Sequence, residues 1–248
     1  MTTLKTKEQI ERMRKAGRVT AGALDAVARA AKPGITTKEL EAIAEDYIRS
    51  RGGVPSFKGF CGYPASICAS MNEEVVHGIP SERKLRDGDI VGVDIGVILD
   101  GWQGDSALTV AVGTISNEAQ HLIDVTRESF YQALKLCREG MRLGDIGHAV
   151  QSYAEANGCS VVRDLCGHGI GRKMHEDPEV PNFGKPGHGL RLSKGLVIAI
   201  EPMLNYGAWP VRTLSDGWTV VTADGSLSAH YEHTVAITDG EPDILTLL

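Results

Sequence analysis

The stretch from residue 89 to 112, DIVGVDIGVILDGWQGDSALTVAV, restricts the fold more than any other part of the chain. Asp100-Gly101 suits a two-residue hairpin turn, in which both central positions need positive φ. A turn there sets Leu99 against Trp102, Asp94 against Ala107 and Asp105 against Gly96. Side chains alternate with period two, so the last four of these residues share one face. Asp94 and Asp105 become diagonal neighbours, roughly 7–8 Å apart at most. Val91, Val93, Ile95 and Val97 take the other face. A carboxylate in so apolar a strand is buried, and two buried like charges need something positive between them. Gly92 and Gly96 flank Asp94 and leave room. On the hairpin alone, a metal ion or pair of ions and a salt bridge to Arg serve equally well.

Around the hairpin the pattern is helix and strand in turn. Residues 7 to 31 carry Ile10, Met13, Leu24 and Val27 at helical spacing, and Lys32-Pro33-Gly34 stops the helix. Thr36 and Glu39 form a capping box for a second helix running to Gly52-Gly53. Residues 54 to 80 mix short strand-like runs with loop residues. Ser116 opens a third helix ending at Gly140, and a fourth runs from about Leu143 to Asn157. GLVIAIEPML (195–204) and AHYEHTVAIT (229–238) read as strands, with turns at Ser215-Asp216-Gly217 and Ala223-Asp224-Gly225 between them.

This order repeats. Residues 32–53 resemble 138–159, with Gly34 over Gly140, Leu40 over Ile146, Tyr47 over Tyr153 and Gly52 over Gly158. LRDGDIVGVDIG over LSKGLVIAIEPM lays Asp94 on Glu201, and GDSALTVAV over YEHTVAIT lays Asp105 on Glu232. Helix, helix, strand with acid, strand with acid, twice over, implies one domain over 1–248 with halves of about 1–115 and 116–248 related by a pseudo-twofold. The fold class is α+β, a curved antiparallel sheet backed by helices on one face.

If the halves pair, Asp94, Asp105, Glu201 and Glu232 converge, and divalent cations are needed to offset their charge. Oxygen-rich ligation with few nitrogens suits a catalytic pair of divalent ions, whereas structural zinc calls for more Cys and His. His77, His168 and His175 each sit in an apolar or Gly-rich setting upstream of an acid-bearing strand. Singly, each reads as an ordinary loop or core histidine. His121, His148, His188, His230 and His233 read as surface or supporting residues. The net charge of −6 with no basic run argues against nucleic acid as a partner, and no apolar run reaches membrane-spanning length. Five cysteines without a CxxC pair and a polar N-terminus point to a reduced, cytoplasmic setting.

HGIP (77–80), the Asp94/Asp105 spacing, CGHGIGRKMHEDP (166–178), IAIEPM (198–203), DGWTV (216–220) and YEHTVAIT (231–238) together resemble the type I methionine aminopeptidases. The resemblance runs from about Ile10 to the end. It implies the pita-bread, or creatinase/aminopeptidase, fold and removal of the N-terminal methionine of peptides and nascent chains, at the ribosome for the latter. It further implies two divalent metal ions (Mn, Fe or Co). Asp94 would hold one, Asp105 and Glu232 would bridge both, and His168 and Glu201 would complete the second. A hydroxide between the metals would attack the first peptide carbonyl, with Glu201 moving the proton and His77 and His175 stabilising the oxyanion. Phe57, Phe60, Tyr63, Cys68, Met174 and Trp218 would line the methionine slot, with plain core packing the competing explanation for Phe57 and Cys68. Several family members carry Cys, Tyr and Phe where this chain has Phe57, Phe60 and Met174, so the slot differs in shape. A proline-specific peptidase of this fold would carry a further N-terminal domain, a creatinase-type enzyme would not retain the metal set, and a non-catalytic module would have lost its ligands. The lack of a zinc-finger-like extension and of a long insertion between the ligand strands points to the short, bacterial-like type I form, and a monomer is expected.

Overall fold

A computed structural model describes residues 2–248. Four α-helices are present among them, α1 (Lys7–Ala30), α2 (Thr37–Ser50), α3 (Asn117–Leu134) and α4 (Leu143–Ala156). The Thr36–Glu39 box starts α2 as expected: the Thr36 N–H donates to Glu39 Oε2 at 2.8 Å and the Glu39 N–H to Thr36 Oγ1 at 3.1 Å. Thr6 and Gln9 start α1 in the same way. Two helix ends fall short of the expected ones. Gly52 turns left-handed at φ 76° and its N–H returns to Arg49 O, so α2 stops at Ser50. After Leu134 the chain tightens into i→i+3 turns that bury Cys137, which ends α3 well before Gly140.

Nine strands form one sheet among the described residues. They are β1 (Val54–Pro55), β2 (Cys68–Met71), β3 (Ile90–Leu99), β4 (Trp102–Ala111), β5 (Gly167–Gly169), β6 (Glu176–Val180), β7 (Val197–Ile200), β8 (Glu232–Ala236) and β9 (Asp243–Ile244). The order is β1-β3-β4-β8-β7-β5-β6, with β2 on β3 and β9 on β8, and every pairing is antiparallel. The β3–β4 hairpin has the expected register, Leu99 with Trp102, Asp94 with Ala107 and Gly96 with Asp105. Asp100 (φ 51°) and Gly101 (φ 72°) both adopt the positive φ that the turn requires.

The sheet has a helix face and an open face. Val91, Val93, Ile95 and Val97 pack under α1 and α2, and Ile198, Ile200 and Val235 pack under α3 and α4. Burial of each such side chain stabilises the fold by about 1.5–3 kcal/mol. Asp94, Ala107 and Glu232 lie in one row across β3, β4 and β8 on the opposite face. The β4–β8 seam joins the two groups of elements.

Two segments differ from the sequence reading. Residues 195–204 do not form one strand: β7 ends at Ile200, and Met203–Asn205 belongs to a separate three-stranded sheet. Pro202 has no N–H to continue the ladder. Residues 229–238 break likewise at Tyr231, whose N–H donates to Pro202 O, so Ser228–His230 and β8 lie in different sheets. Glu201 therefore sits at a corner rather than inside a strand. The break also shifts the repeat. With Asp105 laid on Glu232, Ala107 falls on Thr234, which pairs with Ala199 and not with Glu201.

Glycine works differently at different points of the hairpin. Helix α1 crosses β4 so closely that a Cβ on Gly104 would lie 2.6 Å from the Gly17 nitrogen. A Cβ on Gly96 would meet Met174 Cε at 2.6 Å and Phe57 Cε1 at 2.8 Å, so this glycine makes room for those side chains. Gly92 has ordinary space, with the nearest atoms at 3.6 Å, and is not needed to accommodate Asp94. Gly104→Ala is expected to cost about 1–3 kcal/mol, because backbone cannot yield as a side chain can. Gly92→Ala is expected to stay within about 1 kcal/mol of the parent. Urea unfolding of the two variants checks the contrast.

Candidate metal centre

The row of Asp94, Ala107 and Glu232 places two carboxylates on one face, and Asp105, two residues from Ala107, adds a third. Glu201 arrives from the corner after β7, and His168 from β5, where it pairs with Ala199. Donor atoms of Asp94, His230 and Glu232 lie within 4.8 Å of one another, as do those of Asp105, His168 and Glu232. Glu232 belongs to both groups. His168 Nε2 is 3.7 Å from Asp105 Oδ2 and 3.8 Å from Glu201 Oε1. His230 Nε2 is 3.8 Å from Glu201 Oε2 and 3.7 Å from Glu232 Oε2.

Asp105 and Glu232 are 3% and 2% exposed, and among the described residues only histidines approach the four acids as cation-capable groups. Burial raises all four carboxyls, Asp105 to about 7. Neighbouring acids push Asp94, Glu201 and Glu232 further up. Burial also keeps the histidines neutral, lowering His168 to about 4 and His230 to about 3, with His175 and His77 adding smaller effects.

The tautomer of His168 follows from its partner. Nδ1 lies 2.9 Å from Gly169 O, and a carbonyl only accepts, so Nδ1 carries the hydrogen. Nε2 then presents a bare lone pair to two carboxylates. Asp94 Oδ1, Asp105 Oδ1, Glu232 Oε1 and His230 Nε2 are buried without a hydrogen-bond partner. Lone pairs from buried acids and neutral imidazoles facing one point repel one another unless protons or a cation lie between them. A divalent ion fits this oxygen-rich, nitrogen-poor set, and a fixed Nδ1–H···O bond is the usual support for a ligating histidine.

A cavity of about 300 Å³ opens beside these groups. His77, His175, Phe57, Phe60, Tyr63, Cys68, Met174 and Trp218 all line it, together with Asp94, Asp105, His168, Glu201 and Glu232. His77 holds a left-handed φ of 60°, rare for a residue with a side chain. The His175 ring stands edge-on to His168 at 4.3 Å and to Phe60 at 5.3 Å. Tyr63 meets Trp218 edge-on at 5.1 Å.

Two residues were missed. Cys61 also lines the cavity. His230, read as surface or supporting, is 3% exposed and sits among the acids. Its one sequence signal is its place two residues before Glu232, and the break at Tyr231 takes the force out of that parity. His233 is buried in support from behind, bonded to Thr246 Oγ1 at 2.8 Å, while Ser106 Oγ donates to Glu232 O at 2.6 Å. His121, His148 and His188 are exposed, as expected.

The sequence profile of metallopeptidase family M24 matches residues 11–239. The chain belongs to this family. Within M24 it is 55% identical to a methionine aminopeptidase of Clostridium perfringens over 248 residues, covering 100% of each chain. The crystal structure of a methionine aminopeptidase from Rickettsia prowazekii superposes with a TM-score of 0.98 at 42% identity, again over 100% of both chains. A prolidase from Pyrococcus horikoshii shares the fold, with a TM-score of 0.79 at 20% identity, and this chain covers 98% of itself and 63% of that one. The M24 assignment carries divalent metal binding with it, and it fits the donor set described above. No helix among the described residues is long and apolar enough to cross a membrane.

Acids and histidines act on stability in opposite directions as pH changes. A carboxyl raised in the folded state holds its proton there, and its contribution is lost as pH rises through the folded value. A buried neutral histidine weakens the fold only below about 6.5, its unfolded value. Between pH 7 and 8 the buried histidines are mostly neutral in both states, so the raised acids set the trend. The chelator-treated protein is therefore expected to lose thermal stability as pH rises across that window, through the Asp105 value of about 7. Added divalent metal should remove the trend. Thermal unfolding at stepped pH, with and without metal, measures it.

Proposed function

We propose that this M24 peptidase removes N-terminal methionine at a centre of two divalent ions, Mn, Fe or Co. Asp94, Asp105, His168, Glu201 and Glu232 would hold them, with Asp105 and Glu232 serving both. His230 Nε2 lies beside both acids, 3.8 Å from Glu201 Oε2 and 3.7 Å from Glu232 Oε2. The reading rests on one observation, the His168 lone pair aimed at two buried acids. When bound, the ions supply Lewis-acid polarisation and water acidic enough to serve as nucleophile near neutral pH.

The chain's own residues do the rest. Glu201 accepts the proton of the attacking water and passes it to the departing amine, a task its carboxylate can perform from the cavity wall. His77 and His175 are kept neutral by burial, and each donates an N–H to the oxygen that gains charge. Phe57, Phe60, Tyr63, Cys68, Met174 and Trp218 take the flexible thioether against apolar, aromatic and sulfur surface. The free α-amino group sits among the acids, which restricts cleavage to the first bond.

Substrates are the N-termini of peptides and of nascent chains, the latter met at the ribosome. The enzyme works as a cytoplasmic monomer, one catalytic domain with halves of about 1–115 and 116–248. Chelator-treated protein with single metals added back, offered Met-Gly-Met and X-Pro peptides, tests the reading. Methionine release that requires metal is expected. Asp105→Ala and His168→Ala should each lose more than about 100-fold, beyond the usual cost of disturbing a supporting group. Release that survives thorough metal removal, or preferential X-Pro cleavage, would sink it.

A further inference from the structure

Glu176 follows His175 in sequence, yet it lines no part of the catalytic cavity. Its carboxylate is instead the hub of the loop that presents Met174 and His175. Lys5 Nζ donates to Oε2 at 2.7 Å and Thr3 Oγ1 to the same oxygen at 2.8 Å. The N–H groups of Arg172 and Lys173 donate to Oε1 at 2.8 and 3.2 Å. The Lys5 side chain is 4% exposed, an unusual place for an ammonium unless it is paired. Its own backbone is fixed, since the Lys5 N–H donates to Gly195 O at 2.6 Å. Gly171 makes the arrangement possible: a Cβ there would lie 2.6 Å from Glu176 Oε1 and 2.7 Å from Lys5 Cε. The other side of the loop is tied to β4 by the Gln103 N–H on Gly171 O at 2.9 Å.

His175 depends on this hub. Among the described residues its ring makes edge contacts with His168 and Phe60 but no hydrogen bond. Its place is therefore set by the backbone of residues 171–176, and that backbone is pinned through Glu176. We propose that Lys5 and Glu176 are positioning residues for His175, which makes an N-terminal segment 171 residues away in sequence part of the catalytic apparatus. The idea rests on His175 donating to the oxyanion. Catalysis is sensitive to this kind of support, since a displacement of about 1 Å can cost about 100-fold.

The test compares full-length, metal-loaded Lys5→Met, Glu176→Gln, His175→Ala and the double variant Glu176→Gln/His175→Ala. Lys5→Met and Glu176→Gln should each lower kcat about 10- to 100-fold, as loss of an orienting group does. KM should stay within about threefold, because a transition-state contact is what weakens. Lys5→Arg, which keeps the charge, should recover most of the activity. Independently of activity, the Arg172 and Lys173 amides should exchange with solvent at least about tenfold faster in both variants. In the His175→Ala background, Glu176→Gln should add less than about a twofold loss, the mark of two groups acting as one. Unchanged kcat in folded Lys5→Met and Glu176→Gln, or losses that multiply in the double variant, would overturn the positioning role while leaving the function of His175 intact. Full activity in His175→Ala would overturn the role of that histidine and the proposal with it.

Discussion

Burying several carboxylates beside one another costs more free energy than a small domain has to spare, because each desolvated charge also repels the next. The open face of the sheet takes on this cost at Asp94, Asp105, Glu201 and Glu232. Two outcomes are available: protons on the acids, or a cation among them. The surrounding histidines favour the cation. His168 has its hydrogen committed to Gly169 O and can offer only a lone pair at Nε2, so it can donate that pair to a metal and gives no hydrogen bond to an ionised acid. The helix face compensates with a plain apolar core under both helix pairs.

How much of this could be read in the sequence depended on whether local chemistry set the geometry. Asp100-Gly101 fixes the hairpin register outright, so the positions of Asp94 and Asp105 followed residue by residue. The capping box at Thr36 worked for the same reason, its partner being three residues away. Glu201 and His230 were harder. Each stands where a strand leaves the main sheet, and periodicity carries no information across such a break. Glu201 is reached through the repeat that lays Asp94 on it and through the motif resemblance, whereas His230 reads only as a surface or supporting residue although it shares its parity with Glu232. The end of α3 was misplaced because the burial of Cys137 outweighs what Gly140 signals locally.

Glycines illustrate the same limit. Gly92 and Gly96 look equivalent beside Asp94, yet only Gly96 is crowded, and the crowding comes from Phe57 and Met174, which are distant in sequence. Those two side chains share the cavity wall with Cys68 and Tyr63, so the slot is shaped by contacts between the hairpin, the loop before β2 and the loop after β5. The latch of Lys5 on Glu176 is a further long-range tie with no signature in local sequence.

The seam between β4 and β8 has one more consequence. Glu232 meets Ala107 and His233 meets Ser106 across it, and Thr234 Oγ1 donates to Asp105 O at 2.8 Å over a separation of 129 residues. Neither group of strands brings either candidate metal-binding cluster together alone. Contacts of such long range are slow to form, because the intervening chain must first surrender its freedom. A chain still emerging during synthesis thus lacks the clustered acids and histidines, which come together only once both groups of strands have met.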